Sequence, residues 1–481
     1  MRRVLEKLSW ALTIAVLPVL PPDGAAADEA ESAAPCHVRG IRDRANCLTL
    51  HVPERRDRTG SERTIPVHIA VLPAAGAAAE PDPLFVLAGG PGQAAGELGR
   101  SLEAVFDKVR RKRELVLMDQ RGTGRSAPLR CPLPAGVASS GAKWRPAQTC
   151  LEKLKADVRG YDSAAFVRDL EAARQALGYE KINIWAVSYG TRAALLYARA
   201  YPGRVRTMVL DGVLPPDRNL FEAEPLSSEA ALERTLTACE EDSACASAFP
   251  ELRRSLDKAL TRLEDGPQQL PDPQAEGAPV RIGRQDFMQN LRGALYRPLS
   301  AAAVPFIIDR FVAGDARPLF AYAYEINRRM VDRMYLGLTL SVLCTEELPR
   351  ADPRKVAAAA AESRFGTAYY DFWKQACEDW PRAAVPPAYG TPVRAEMPVL
   401  LLSGALDPVT PPAAAEQAAR TLSRSTHFVA PAAGHNVSGF GCAPDLIADF
   451  IAAADASGLD PSCLAEQGRP PFLLGRGGPR P

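Results

Sequence analysis

Histidine is scarce in this chain, neither sign of charge is in excess, and no apolar run is long enough to cross a bilayer. Five histidines in 481 residues leave few candidates for any chemistry that needs an imidazole. Lys and Arg number 58 against 57 Asp and Glu, a formal net charge of +1. No basic block interrupts the sequence, which argues against nucleic acid or an anionic membrane as partner. Neither C-x-x-C nor H-E-x-x-H spacing occurs, so no metal is expected. No G-K-[ST] follows either glycine-rich loop, at 89–92 or 122–125, which removes a phosphate-cradling reading; no cofactor is expected. Repeats and heptads are also missing. What is there, 47% hydrophobic and 24% charged residues, suits one large folded domain carrying an insertion.

The N-terminus carries Arg2, Arg3 and Lys7, then an apolar run over 8–20 containing Pro18, then Gly24 and three alanines. A span needs about 20 apolar residues, so residues 1–27 read as a cleaved secretory signal rather than an anchor. Secretion or a periplasmic location follows. The ten cysteines fall in close sequential pairs: Cys36 with Cys47, Cys131 with Cys150, Cys239 with Cys245, Cys344 with Cys377, and Cys442 with Cys463. Export makes disulfides their natural state and loop closure favours near neighbours, with buried free thiols as the alternative.

Short Val, Leu and Ile runs alternate with helical patterns, the signature of an α/β protein with a mostly parallel sheet flanked by helices. Strands are expected at 64–72, 84–87, 115–118, 182–187, 207–210, 399–403 and 426–430. The strand rhythm stops after Gly212 and resumes at Met397, with helix-like stretches such as 230–239 and 319–343 between, interrupted by a Pro-rich run at 266–279. The expected layout is therefore a core in two blocks, 28–213 and 397–468, a helical cap over 214–396, and a loose tail over 469–481.

The strand ending at Val187 runs straight into Ser188-Tyr189-Gly190-Thr191 and a helical pattern. A serine on a sharp strand-to-helix turn exposes its hydroxyl, and small residues two before and two after it let the backbones approach: the G-x-S-x-G nucleophile elbow, with Ala186 at its first position. Such a serine requires a base and an orienting acid. His435, in the loop after the last expected strand, is the candidate base; His427 falls inside that strand, and His37, His51 and His68 all precede the nucleophile. Asp407, after the strand at 399–403, is the candidate acid, and Asp211 is the runner-up. Ser, Asp, His is the chain order of the α/β-hydrolase fold. For the oxyanion, the backbone N–H of Tyr189 is one expected donor, and Gly90 or Gly89, in the loop after the strand at 84–87, is the other.

Together these pieces resemble the α/β-hydrolase serine peptidases grouped with proline iminopeptidase and the secreted tripeptidyl aminopeptidases. The likeness rests on Gly89-Gly90-Pro91-Gly92, the stretch from Asp119 to Ser126, Ser188-Tyr189-Gly190-Thr191, Leu210-Asp211-Gly212-Val213, Asp407-Pro408-Val409-Thr410-Pro411 and Gly434-His435. Ala88 and Ala186 depart from the family's His and Gly. The stretch at 119–126 is read as a structural turn with an internal Asp-to-Arg ion pair. The resemblance implies that a carboxylate holds the substrate's free amine, with Glu346 the first candidate and Glu347 the second. The expected function is a secreted serine hydrolase, an aminopeptidase of prolyl or tripeptidyl type. A carboxylesterase or amidase acting on small hydrophobic esters is the alternative, and a catalytically silent binding protein the remote one.

Overall fold

The computed structural model describes residues 29–57, 63–131, 146–271 and 279–478. The segment expected to be a signal peptide lies outside the described residues. Ten strands form one sheet: β1 (Glu29–Ala30), β2 (Ala34–His37), β3 (Arg44–Pro53), β4 (Thr64–Leu72), β5 (Leu84–Leu87), β6 (Leu115–Met118), β7 (Ile182–Val187) and β8 (Val205–Asp211), joined by β11 (Val399–Gly404) and β12 (Ser425–Ala430). β9 (Gln268–Pro271) and β10 (Pro279–Ile282) pair separately as an antiparallel hairpin. The sheet order is β1-β3-β4-β6-β5-β7-β8-β11-β12, with β2 on β3. β6, β5, β7, β8, β11 and β12 run parallel, and β3 and β4 are antiparallel to their neighbours.

All seven expected strands are present. β3 was not anticipated, because from Leu48 onward its buried residues, Leu48, Leu50 and Val52, alternate with wetter ones; a strand with one wet face lacks the continuous apolar run of a central parallel strand. The central strands do have such runs, because both sheet faces are covered. In β5, β7 and β11, Phe85, Ile184 and Leu401 enter one buried cluster, while Val86, Trp185 and Leu402 enter the cluster on the opposite face. Each large apolar side chain so removed from water contributes about 1.5–3 kcal/mol.

The segment between β8 and β11 divides in two. Its first part builds a core of its own around Leu232, Leu256, Phe287, Leu291, Ile307 and Phe311. Its second part, including Leu338, Leu340, Cys344, Trp373 and Trp380, packs into the sheet's own cluster. Two expectations change here. The Pro-rich run contains one strand of an antiparallel pair and the first residue of the other, and the helix expected over 319–343 is broken between Glu325–Asp332 and Leu336–Val342.

The described part of the tail, 469–478, is also not loose. Phe472 is buried in the insertion's core, Leu473 N–H donates to Ala302 O at 3.0 Å, and Arg476 pairs with Asp315 at 2.7 Å. One buried aromatic ring and an ion pair outweigh the disordering tendency of the flanking Pro and Gly. The ten cysteines form the five nearest-neighbour bridges, with no free cysteine among the described residues.

Candidate active site

Five neighbouring parallel strands, β5, β7, β8, β11 and β12, deliver their C-terminal loops to one sheet edge, where open α/β sheets hold their ligands. Ser188 follows β7 directly and has φ 55° and ψ −125°. A side chain at positive φ costs on the order of 1–3 kcal/mol, and the turn is held by the Ser188 N–H donating to Asp211 O at 2.9 Å. Gly190 makes the turn possible: a Cβ there would lie 2.5 Å from Leu87 O and 2.6 Å from Ala88 O. Ala186 is fully buried between Leu87 and Leu210, so the elbow forms with alanine at that position.

His435 Nδ1 lies 2.8 Å from Asp407 Oδ2. Asp407 Oδ1 accepts the N–H groups of Val409 at 2.7 Å and Thr410 at 2.9 Å, and Thr410 Oγ1 donates to Oδ2 at 2.7 Å. Burial alone would raise the Asp407 carboxyl, but the facing imidazolium and these donors hold it below its usual range. For His435, burial works against the charged form, yet the Asp407 charge and hydrogen bond prevail and raise it above an ordinary histidine. The imidazole is thereby oriented through its Nδ1.

The two oxyanion candidates from the early loop sit differently. A Cβ on Gly89 would lie 3.1 Å from Ser188 Cβ, whereas one on Gly90 would lie 2.7 Å from Met334 Cε. Gly89 is thus against the serine and Gly90 under the insertion. The loop is fastened from above by Tyr335 N–H to Gly92 O at 2.8 Å and Thr339 Oγ1 to Pro91 O at 2.6 Å. Tyr189 opens the helix Tyr189–Ala200, and a first-turn N–H has no intrahelical acceptor.

Residues 82–242 match the alpha/beta hydrolase fold family, and residues 362–463 match the TAP-like protein family. The chain has the α/β-hydrolase fold. Among its relatives, the serine protease Hip1 of Mycobacterium tuberculosis is 25% identical over 366 residues, covering 68% of this chain and 70% of that protein. The tripeptidyl aminopeptidase of Streptomyces coelicolor is 32% identical over 136 residues, 25% of each chain. A probable proline iminopeptidase of the same organism is 35% identical over 131 residues, 27% of this chain and 32% of that protein.

Other expected residues of the hydrolase take different places. Asp211, the runner-up acid, is fully buried and spends its carboxylate on Val437 N–H, Ser438 N–H and Ser438 Oγ, at 2.6–2.9 Å. It thus fixes the chain just beyond His435. Glu346 and Glu347, the candidates for holding a substrate amine, are both buried. Glu346 is 2% exposed and accepts Ser163 N–H at 2.6 Å, Ser163 Oγ at 2.7 Å and the Tyr389 hydroxyl. Glu347 is 1% exposed, paired with Arg192 and Arg350, and accepts Leu220 N–H at 2.7 Å. Both carboxylates are committed inside the protein. Ser163 Oγ lies 2.8 Å from Tyr189 Oη, which also accepts from Gln120 Nε2 at 3.2 Å, so Glu346 supports the residue next to Ser188.

The turn at 119–126 has no internal Asp-to-Arg pair between side chains. Asp119 accepts the backbone N–H groups of Gly96 at 2.9 Å and Arg125 at 3.0 Å, while the buried Arg121 pairs with Asp169 at 2.7 Å. His427 lies 2.9 Å from Ser403 Oγ within the sheet. Sequence reasoning missed Thr410, although its place three residues after the acid in an Asp-Pro turn was a usable signal, since such side chains bond back to their own turn.

Proposed function

We propose that Ser188, His435 and Asp407 form a nucleophilic triad and that the protein is an exported aminopeptidase of prolyl or tripeptidyl type. The observation that carries this reading is a positive-φ serine after β7 and a hydrogen-bonded Asp–His pair on the loops after β11 and β12, at the same edge of one parallel sheet. Ser188 Oγ attacks the scissile carbonyl carbon while His435 takes the hydroxyl proton. The N–H groups of Tyr189 and of Gly89 or Gly90 stabilise the oxyanion, each donor being worth about 3 kcal/mol. As the C–N bond breaks, His435 returns the proton to the leaving amine, and water then releases the acyl group from Ser188 by the same route.

The peptidase direction is supported by likeness to proteins named tripeptidyl aminopeptidase and proline iminopeptidase. Export is supported by five disulfides, which persist in oxidising compartments. No helix among the described residues is long and apolar enough to cross a membrane. The test is a panel of fluorogenic Pro, Ala, dipeptidyl and tripeptidyl amides, free and N-acetylated, together with a p-nitrophenyl ester, against the wild type and Ser188→Ala. Cleavage of free-amine amides that vanishes in the variant is expected, and the productive chain length gives the step. Turnover of the ester without any amide would move the assignment to a carboxylesterase, since fold alone does not decide between them.

A further inference from the structure

The acid loop and the base loop both lean on the insertion, and one buried arginine stands between the two residues they lean on. On the base side, His435 N–H donates to Tyr296 O at 2.8 Å, and the two rings meet edge to face with centroids 5.3 Å apart. Gly434 fits there only because it has no side chain: a Cβ would lie 2.5 Å from Tyr296 O. On the acid side, the Ser228 hydroxyl lies 3.3 Å from Pro408 O, one residue beyond Asp407, and 3.0 Å from Glu224 Oε1. Arg292 stands between the two. Its Nε is 2.8 Å from Glu224 Oε1 and donates to Ser228 Oγ at 3.2 Å, and its guanidinium lies 5.5 Å from the Tyr296 ring centre and 4.7 Å from that of Tyr369.

Arg292 and Glu224 are 7% and 2% exposed. A buried ion pair seldom improves stability over apolar packing of the same volume, whereas it does fix geometry when its hydrogen bonds reach functional groups. Here the Nε–H bonds Ser228, which touches the acid loop, and the guanidinium faces the ring of Tyr296, whose carbonyl holds the base loop. We propose that Arg292, held by Glu224, is a positioning residue for the triad: it sets Ser228 beneath the acid loop and Tyr296 against the base loop, so that the insertion registers His435 on Asp407. This rests on the hydrolase reading above. His435 is faced by Asp407 and Thr410 from the loop after β11, by Asp211 from β8, and by Tyr296 with Arg292 and Glu224 behind it from the insertion. Among these charges the two aspartates favour the imidazolium and Arg292 opposes it.

The experiment compares Arg292→Lys, Arg292→Met and the charge-neutral pair Glu224→Gln/Arg292→Met with the wild type, measuring kcat, KM, the pH dependence of kcat/KM and the thermal midpoint. Arg292→Met leaves Glu224 unpaired and can fail to fold; the neutral pair removes that hazard. Loss of registration should lower kcat of the folded neutral pair by roughly ten- to a hundred-fold with KM for a minimal substrate little changed. Where Arg292→Met folds, the acid limb of its profile should move to higher pH, and Arg292→Lys, which keeps the charge, should leave the limb in place. A folded neutral pair with wild-type kcat would overturn the proposal and reduce Arg292 to a packing residue. A wild type that neither turns over substrate nor takes a fluorophosphonate on Ser188 would overturn the hydrolase reading, and this proposal with it.

Discussion

Thr410 Oγ1 donates to Asp407 Oδ2 at 2.7 Å and lies 3.1 Å from His435 Nδ1, so one hydroxyl touches both partners of the Asp–His pair. Thr410→Val keeps the shape and the backbone N–H to Asp407 and deletes only that donor. A hydrogen bond to a charged group is worth about 1.5–3 kcal/mol, so kcat/KM should fall by roughly ten- to a hundred-fold, with Thr410→Ser restoring most of it. Steady-state kinetics on the three proteins decide the matter, and an unchanged Thr410→Val would show the hydroxyl to be incidental.

The pH profile follows from His435. The base works only when neutral, and its pairing with Asp407 raises it above an ordinary histidine near 6.5. The acid limb of kcat/KM should therefore lie above that value, with activity falling as pH drops through it. Asp407→Asn should shift the limb downward and cost roughly 10³–10⁴-fold in kcat. Asp211→Asn should act differently, lowering stability by about 1–3 kcal/mol through the N–H groups it leaves unpaired. Equal kinetic losses in the two variants would restore Asp211 as a rival acid.

Glu346 gives the fold its own pH dependence. Burial, with the neighbouring Asp162 charge, raises its carboxyl to about 7 despite the donors Tyr389 and Ser163. In the unfolded chain the proton leaves near 4.5, so the folded state keeps a proton that the unfolded state has lost. The resulting stability is fully present below the unfolded value and disappears as pH rises to about 7, at most about 3 kcal/mol in all. Glu346→Gln lacks this dependence. Melting both proteins at pH 5 and pH 8 should show the wild type losing more across the interval; a constant gap would mean that Glu346 is ionised throughout.

Phe472 fastens the C-terminal segment to the insertion. Phe472→Ala should cost about 3–5 kcal/mol, the usual range for emptying a buried aromatic site, and deletion of residues 469–481 should do at least as much. Limited proteolysis should then cut first within 220–332. Unchanged melting and cutting patterns would return the tail to the status of a loose end.

The sequence by itself determined the parallel sheet, the elbow at Ser188, the candidates Asp407 and His435 and the cysteine pairs. Each of these is written locally: a doubly buried strand is a continuous apolar run, an elbow is a strand, a serine and small residues within a few positions, and bridges close short loops. Only the tertiary structure decided what Asp211, Glu346, Glu347, Thr410 and Arg292 do. A carboxylate in sequence carries no sign of whether its lone pairs meet water, a substrate amine or buried N–H groups. For Glu346 the answer was Ser163, 183 residues away, and for Asp211 it was Val437, 226 residues away. The tail shows the same limit, since Pro, Gly and Arg predict disorder locally while a single phenylalanine finds a core assembled from distant segments. Patterning fixes which faces are apolar, whereas the partner of a buried polar group is set by the long-range packing that removes water from it.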